Sequence, residues 1–252
     1  MKKFAVLLIT LLLFQGVMQA APMAAHNPKA EWYKVQTDHY QCTVYDGSMY
    51  PFLFKSADGK REFPHNMLLD WIMYKNESTI TLHYLYRDPY AKVTVLENTE
   101  DKFVWEVQGK FCLSLKRFPG VTARYRYTMM RHSPEILLEA EITADKPFAS
   151  ECKVNAGVMA WQQLPFDEIT LSGQAAQPFR TDLVTPRSFA SDSGITLRDS
   201  KQQLSFGIAG PSGAYNNADG KYYTYLGRKN SSLVWDGKEP LRFTMKFCVQ
   251  SK

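Results

Sequence analysis

The segment from Val121 to Ala144 constrains the fold more than any other part of the chain. Ala123, Tyr125 and Tyr127 alternate with Arg124, Arg126 and Thr128, and after His132-Ser133-Pro134 the residues Ile136, Leu138, Ala140 and Ile142 alternate with Leu137, Glu139, Glu141 and Thr143. A period of two means an extended chain with one face buried. Two such runs joined by a short polar turn predict a long antiparallel hairpin. A turn centred on His132-Ser133-Pro134 sets Arg126 across from Glu139 or Glu141, and opposite charges so placed contribute about 0.2–1 kcal/mol per pair.

The same pattern recurs along the chain. Strands are expected at Tyr40–Tyr45, Tyr50–Lys55, Thr79–Arg87, Ala91–Glu97, Lys102–Val107, Lys110–Arg117, Cys152–Trp161, Glu168–Ser172, Gly194–Arg198, Leu204–Ile208, Tyr222–Leu226 and Leu241–Gln250. Asp58-Gly59, Pro119-Gly120, Asp219-Gly220 and Asp236-Gly237 punctuate them, with glycine supplying a positive φ at no steric cost. An aromatic share of 13% suits pleated surfaces. Helical spacing occurs once, over Asn66–Tyr74, where Leu68, Leu69, Ile72 and Met73 form a stripe. Pro178–Ser193 and Gly210–Gly220 read as loops. These features predict an all-β chain: a large antiparallel two-sheet sandwich forming a single domain over residues 40–252, preceded by a lead-in at 21–39.

Residues 1–20 have the plan of a cleaved secretory signal. Lys2 and Lys3 form a basic start, and Phe4–Phe14 is an apolar run of about 11 residues, too short to span about 30 Å of hydrocarbon. Cleavage after Ala20 makes the mature protein secreted or periplasmic, with no stable membrane insertion expected. Loss of the two lysines lowers the formal charge from +5 to +3. The basic residues are scattered rather than clustered, which argues against nucleic acid as a partner. Of the four cysteines, Cys42, Cys112, Cys152 and Cys248, none stands in a CxxC pair. They allow three pairings, and they equally fit as buried thiols; no metal site and no cofactor is expected from their spacing.

Candidate site residues follow from side-chain chemistry. His83 and Arg87 share one face of the expected Thr79–Arg87 strand; an imidazole exchanging protons near neutral pH beside a forked guanidinium suits an acidic sugar. His65 stands in the loop Phe63-Pro64-His65-Asn66, and Trp161 ends a strand before Gln162-Gln163, where an indole can stack on a pyranose while the amides bond its hydroxyls. The motifs GxSxG, HExxH, GxxxxGK[ST] and GxGxxG do not occur.

The run Arg124-Tyr125-Arg126-Tyr127-Thr128, passing through Ser133-Pro134-Glu135 into Ile136–Thr143, resembles the central hairpin of galactose-mutarotase-like super-sandwich domains. Tyr50-Pro51-Phe52-Leu53-Phe54 with Asp58-Gly59 and Phe63-Pro64-His65-Asn66 is similar to the early strand and loop on the sugar-facing side of such domains. The resemblance implies a two-sheet fold often used on carbohydrate. It does not carry over the mutarotases' histidine acid and late glutamate base. No histidine follows His132, and the only acid near the last strand, Glu239, sits beside Pro240 in a turn. Three functional classes are therefore in play: a secreted carbohydrate-binding or carbohydrate-processing protein, a non-catalytic envelope or structural interaction module, and an acidic-polysaccharide lyase or hydrolase using His83 and Arg87.

Overall fold

The computed structural model describes residues 21–29, 32–45, 51–62, 67–68, 72–76, 79–83, 88–113, 116–148, 152–154, 157–161, 166–179, 187–216, 223–228 and 233–251. Every helix-or-strand element among them is a strand. In chain order, β1 (Ala24–Asn27), β2 (Trp32–Gln36), β3 (Tyr40–Tyr45) and β4 (Pro51–Ser56) form a four-stranded antiparallel meander. Three short strands follow: β5 (Met67–Leu68), β6 (Ile72–Asn76) and β7 (Thr79–His83). Then come β8 (Lys92–Asn98), β9 (Lys102–Leu113), β10 (Lys116–Met130) and β11 (Glu135–Ala144), and after them β12 (Cys152–Val154), β13 (Gly157–Trp161), β14 (Glu168–Leu171) and β15 (Gln177–Pro178). The last seven are β16 (Arg187–Ser191), β17 (Gly194–Asp199), β18 (Leu204–Ala209), β19 (Ser212–Asn216), β20 (Tyr223–Arg228), β21 (Leu233–Trp235) and β22 (Leu241–Ser251).

The backbone of the molecule is a nine-stranded antiparallel sheet in the order β15-β14-β17-β18-β22-β11-β10-β9-β8. Its centre is the hairpin read from the sequence: β10 and β11 pair with Arg126 opposite Glu139 and Tyr125 opposite Ala140. One face of that sheet, bearing Trp105, Tyr125, Tyr127, Ile136, Leu138, Phe206 and Phe247, is buried. The four-stranded sheet packs on this inner face through its own inward side chains. Tyr33 meets Phe103 at 5.4 Å, Phe54 meets Phe206 at 5.9 Å, and the Cys42 thiol lies 3.9 Å from the Met129 sulfur. A stack of Phe103, Trp105 and Tyr127, with ring centroids 5.0 and 4.8 Å apart, fills the space between. A five-stranded sheet in the order β16-β19-β20-β13-β5 contributes Ala214 and Leu226 to the same core.

The architecture is thus the expected all-β sandwich in one domain, and two of the four turn glycines behave as read, Gly59 and Gly237 with φ of 71° and 77°, while Asp219-Gly220 lies outside the described residues. Several local expectations are corrected. Asn66–Tyr74 is not helical where described: Met67–Leu68 is a strand, and Ile72–Asn76 pairs with Thr79–His83. A cross-strand ladder pairs the backbone there, and Ile72 and Tyr74 suit a pleated surface better than a helix. The lead-in at 21–39 holds β1 and β2, with Val35 fully buried, because the exposed edge of β3 takes a partner. The segments read as loops contain β16 and β19, small-residue strands that pair with each other. The strand expected at Lys102–Val107 continues through Lys110–Leu113 as β9, since Gly109 sits in the ladder opposite Ala123 instead of making a turn; the strand expected at Lys110–Arg117 is split, because Lys116 and Arg117 open β10 and pair back on Leu113 and Cys112. Pro119-Gly120 makes a break within β10 rather than a hairpin: the register shifts between Arg117 and Thr122, and Gly120 takes φ 76°. Cys42 and Cys248 are free thiols.

Candidate functional site

Alternation that buries Tyr125 and Tyr127 turns Arg124 and Arg126 outward, and the same rule turns Glu106 out of β9, Glu139 and Glu141 out of β11, and Arg242 and Thr244 out of β22. The antiparallel register then lines these residues up across four strands. One row reads Gln108, Arg124, Glu141, Arg242; the next reads Glu106, Arg126, Glu139, Thr244. Neighbouring strands lie about 4.8 Å apart, so acid and base alternate at that interval. The side chains enclose an open cavity of about 350 Å³ on the outer face of the nine-stranded sheet.

The charges in this cavity hold one another in place. Glu141 accepts from Arg242 Nε at 2.6 Å and from Arg124 at 3.1 Å, one carboxylate oxygen for each. Arg242's hydrogen bond, helped by the charges of Arg124 and Arg242, holds the Glu141 carboxyl below its ordinary range. Arg126 donates to Glu106 at 3.0 Å rather than to Glu139, its register partner across the hairpin. The cross-strand pair expected from the sequence is thereby relocated: Arg126 turns toward β9, and Glu141 is shared by β10 and β22. Glu139 is exposed and has no ion-pair partner among the described residues. Each guanidinium carries five N–H donors and makes one hydrogen bond among the described residues, which leaves donors on all three arginines for a ligand.

The residues singled out from the sequence are not assembled here. His83 closes β7 opposite Ile72, and Trp161 ends β13 opposite Tyr223, so these two belong to different sheets, neither of them the nine-stranded one. His65 and Arg87 lie outside the described residues, and the described strand stops at His83. Sequence reasoning treated Arg126 with Glu139 or Glu141 as a stabilising pair, placed Arg124 on the same face without a partner, and missed Glu106 and Arg242. Their only sequence signal is a lone charge between apolar residues, in Trp105-Glu106-Val107 and Leu241-Arg242-Phe243. Among the described residues no three His, Cys, Asp or Glu side chains gather as metal ligands do, and no helix is long and apolar enough to cross a membrane.

Solved structures of known proteins share this arrangement of sheets. The chain superposes on the GH36 alpha-galactosidase AgaB from Geobacillus stearothermophilus with a TM-score of 0.57 and 10% identity, over 91% of this chain and 41% of that one. It superposes on a galactose mutarotase related enzyme from Lactobacillus acidophilus with a TM-score of 0.53 and 11% identity, over 87% of this chain and 97% of that one. A putative mutarotase, YeaD from Salmonella typhimurium, matches with a TM-score of 0.50 and 10% identity, over 98% of this chain and all of that one. The chain therefore has the galactose-mutarotase-like super-sandwich fold. It spans about two fifths of the length of the galactosidase and nearly the whole of the mutarotase-related enzyme. No protein-family model and no curated protein matches the sequence.

Proposed function

We propose that this protein is an exported carbohydrate-binding super-sandwich that seats its saccharide on the outer face of the nine-stranded sheet. The observation that carries the reading is the cavity in which Arg124, Arg126 and Arg242 alternate with Glu106, Glu139 and Glu141. A saccharide presents hydroxyls that both donate and accept, and rows of fixed donors and acceptors match that chemistry. Charge-assisted hydrogen bonds of this kind are roughly twice as strong as neutral ones. The ion pairs orient the guanidiniums before a ligand arrives, which lowers the entropy lost on binding. Glu139 supplies the carboxylate that no ion-pair partner occupies among the described residues. The fold supports the reading because proteins described as galactosidase and mutarotase-related share it, while function is argued from the site. The role assigned is binding, and the family's histidine-glutamate pair plays no part in it.

A glycan array probed with the full chain, followed by calorimetric titration of the strongest hit, tests the proposal. Glu139→Ala and Arg126→Ala are expected to weaken that hit by about tenfold or more, the equivalent of one strong hydrogen bond. A folded wild-type protein that binds no neutral or acidic glycan sinks the reading.

A further inference from the structure

The opposite surface of the sandwich carries a second groove, on the outer face of the four-stranded sheet. It encloses about 630 Å³ and is lined by Trp32 and Lys34 of β2, Gln41 and Thr43 of β3, and Leu53 and Lys55 of β4. That volume lies within the range of small-molecule sites, about 300–1,000 Å³. Register explains the grouping: Lys34 pairs with Thr43 and Gln41 pairs with Lys55, while a bulge in β3 and β4 between these rows displaces Leu53.

Three features set this face apart from an ordinary solvated sheet. Trp32 is half-buried and, among the described residues, has neither a ring partner nor an acceptor for its indole N–H. Trp235 and Trp105 are different: one donates to the Glu239 carbonyl at 2.7 Å, and the other stacks on Tyr127 at 4.8 Å. Leu53 has φ of 50° and is 40% exposed, so a bulky apolar side chain is held in the left-handed region and presented to the groove. That conformation persists only where the surrounding structure enforces it, and such residues concentrate at ligand sites. Lys34 is exposed and has no carboxylate partner among the described residues. The acids at the groove are engaged: Asp58, which also lines it, accepts from the Ser56 hydroxyl and the Lys60 amide within its own turn, and Glu62 pairs with Lys55 at 2.8 Å.

We propose that this groove is a second saccharide site, specific for an acidic oligosaccharide. Trp32 and Leu53 form an apolar floor for the C–H face of a sugar ring. Gln41, its amide fixed by a 2.9 Å hydrogen bond to the Ala57 carbonyl, and the Thr43 hydroxyl serve the ring hydroxyls. The ammonium of Lys34, free of a carboxylate partner among the described residues, takes the carboxylate or sulfate, while Lys55, paired with Glu62, lines the same groove. The inference is independent of the site on the nine-stranded sheet, with which it shares no residue.

The test is titration of the full chain with an oligogalacturonate, a heparin-derived sulfated oligosaccharide and a neutral galacto-oligosaccharide, with thermal melts confirming that each variant is folded. Trp32→Ala and Lys34→Ala are each expected to weaken binding of an acidic oligosaccharide by about tenfold. Preference for the uronate or for the sulfated ligand supports the proposal and identifies the anion. Unchanged affinity in Trp32→Ala and Lys34→Ala overturns the proposal. So does neutral-ligand binding as tight as acidic, or loss of acidic-ligand binding in Arg242→Ala but not in Trp32→Ala; the last result moves the acidic glycan to the opposite face.

Discussion

His132, in the turn between β10 and β11, donates from Nδ1 to Asp38 Oδ2 at 2.6 Å, tying the tip of the central hairpin to the turn between β2 and β3 of the facing sheet. The Asp38 amide also donates to the Arg131 carbonyl at 2.9 Å, and His39 Nε2 lies 3.2 Å from the His132 carbonyl. Asp101, 3.6 Å from Nε2, adds a second carboxylate, while Arg131 opposes. The hydrogen bond to Asp38 and that carboxylate's charge raise His132 above its ordinary value of 6.5. A raised histidine stabilises the fold fully below the unfolded value, and the contribution disappears as pH rises through the folded one. The stability difference between wild type and His132→Asn is therefore expected to be present at pH 5 and to vanish toward pH 9. A difference that is flat across that range in urea melts contradicts the link.

Tyr125 and Arg126 are neighbours on opposite faces of β10, 3% exposed as a residue and 46% exposed as a side chain respectively. Tyr125→Ala is expected to cost about 3–5 kcal/mol through the cavity it leaves, and Arg126→Ala less than about 1 kcal/mol, since a largely solvated ion pair contributes little. Denaturant midpoints in the opposite order would mean that the buried face of the hairpin is the other one.

Glu141 owes its lowered pKa first to the hydrogen bond from Arg242 Nε and then to the charges of Arg124 and Arg242. Arg242→Ala should return it toward the ordinary 4.5, read from the side-chain carboxyl carbon in an NMR titration. A depressed carboxylate stabilises the fold above the unfolded value and stops doing so as pH falls through the folded one. The variant should accordingly lose less stability than wild type on acidification. No movement of the Glu141 resonance midpoint would show that Arg242 does not hold it.

Gly194, at the start of β17, has φ 139°, and a Cβ built there would lie 2.8 Å from the Ile208 carbonyl oxygen. Gly210 also has positive φ, 83°, but a Cβ there meets nothing within 4 Å. Gly210→Ala is expected to cost about 1–2 kcal/mol for the left-handed backbone alone. Gly194→Ala should cost more, because its clash is with a β18 backbone that the ladder holds. Equal melting temperatures for the two variants would remove the close approach as a cause.

The exported protein is expected to begin at Ala21. Intact-mass analysis of secreted material that still carried residues 1–20 would overturn the reading of that segment as a cleaved signal.

Period-two alternation is a local property, and it was sufficient to define the hairpin of β10 and β11 and the inward side of Tyr125, while it left Arg126 opposite either Glu139 or Glu141; the Asp-Gly pairs marked the turns at Gly59 and Gly237. It also pointed to the sandwich, because so many half-buried strands need two sheets facing each other. Partner choice between distant strands lay beyond it. Glu141 meets Arg242 across 101 positions of chain, and Trp32 shares a face with Leu53 only because the first four strands form a meander. The strands β16 and β19, rich in Ser, Gly and Ala, extend because ladder partners hold them, β16 on β19 and β19 between β16 and β20, and Ile72–Asn76 is a strand because Thr79–His83 pairs with it. An outward arginine on a strand looks the same in sequence whether it is merely solvated or lines a cavity. Tertiary structure made that distinction, since neighbours on the adjacent strands decide whether the charges around Glu139 converge.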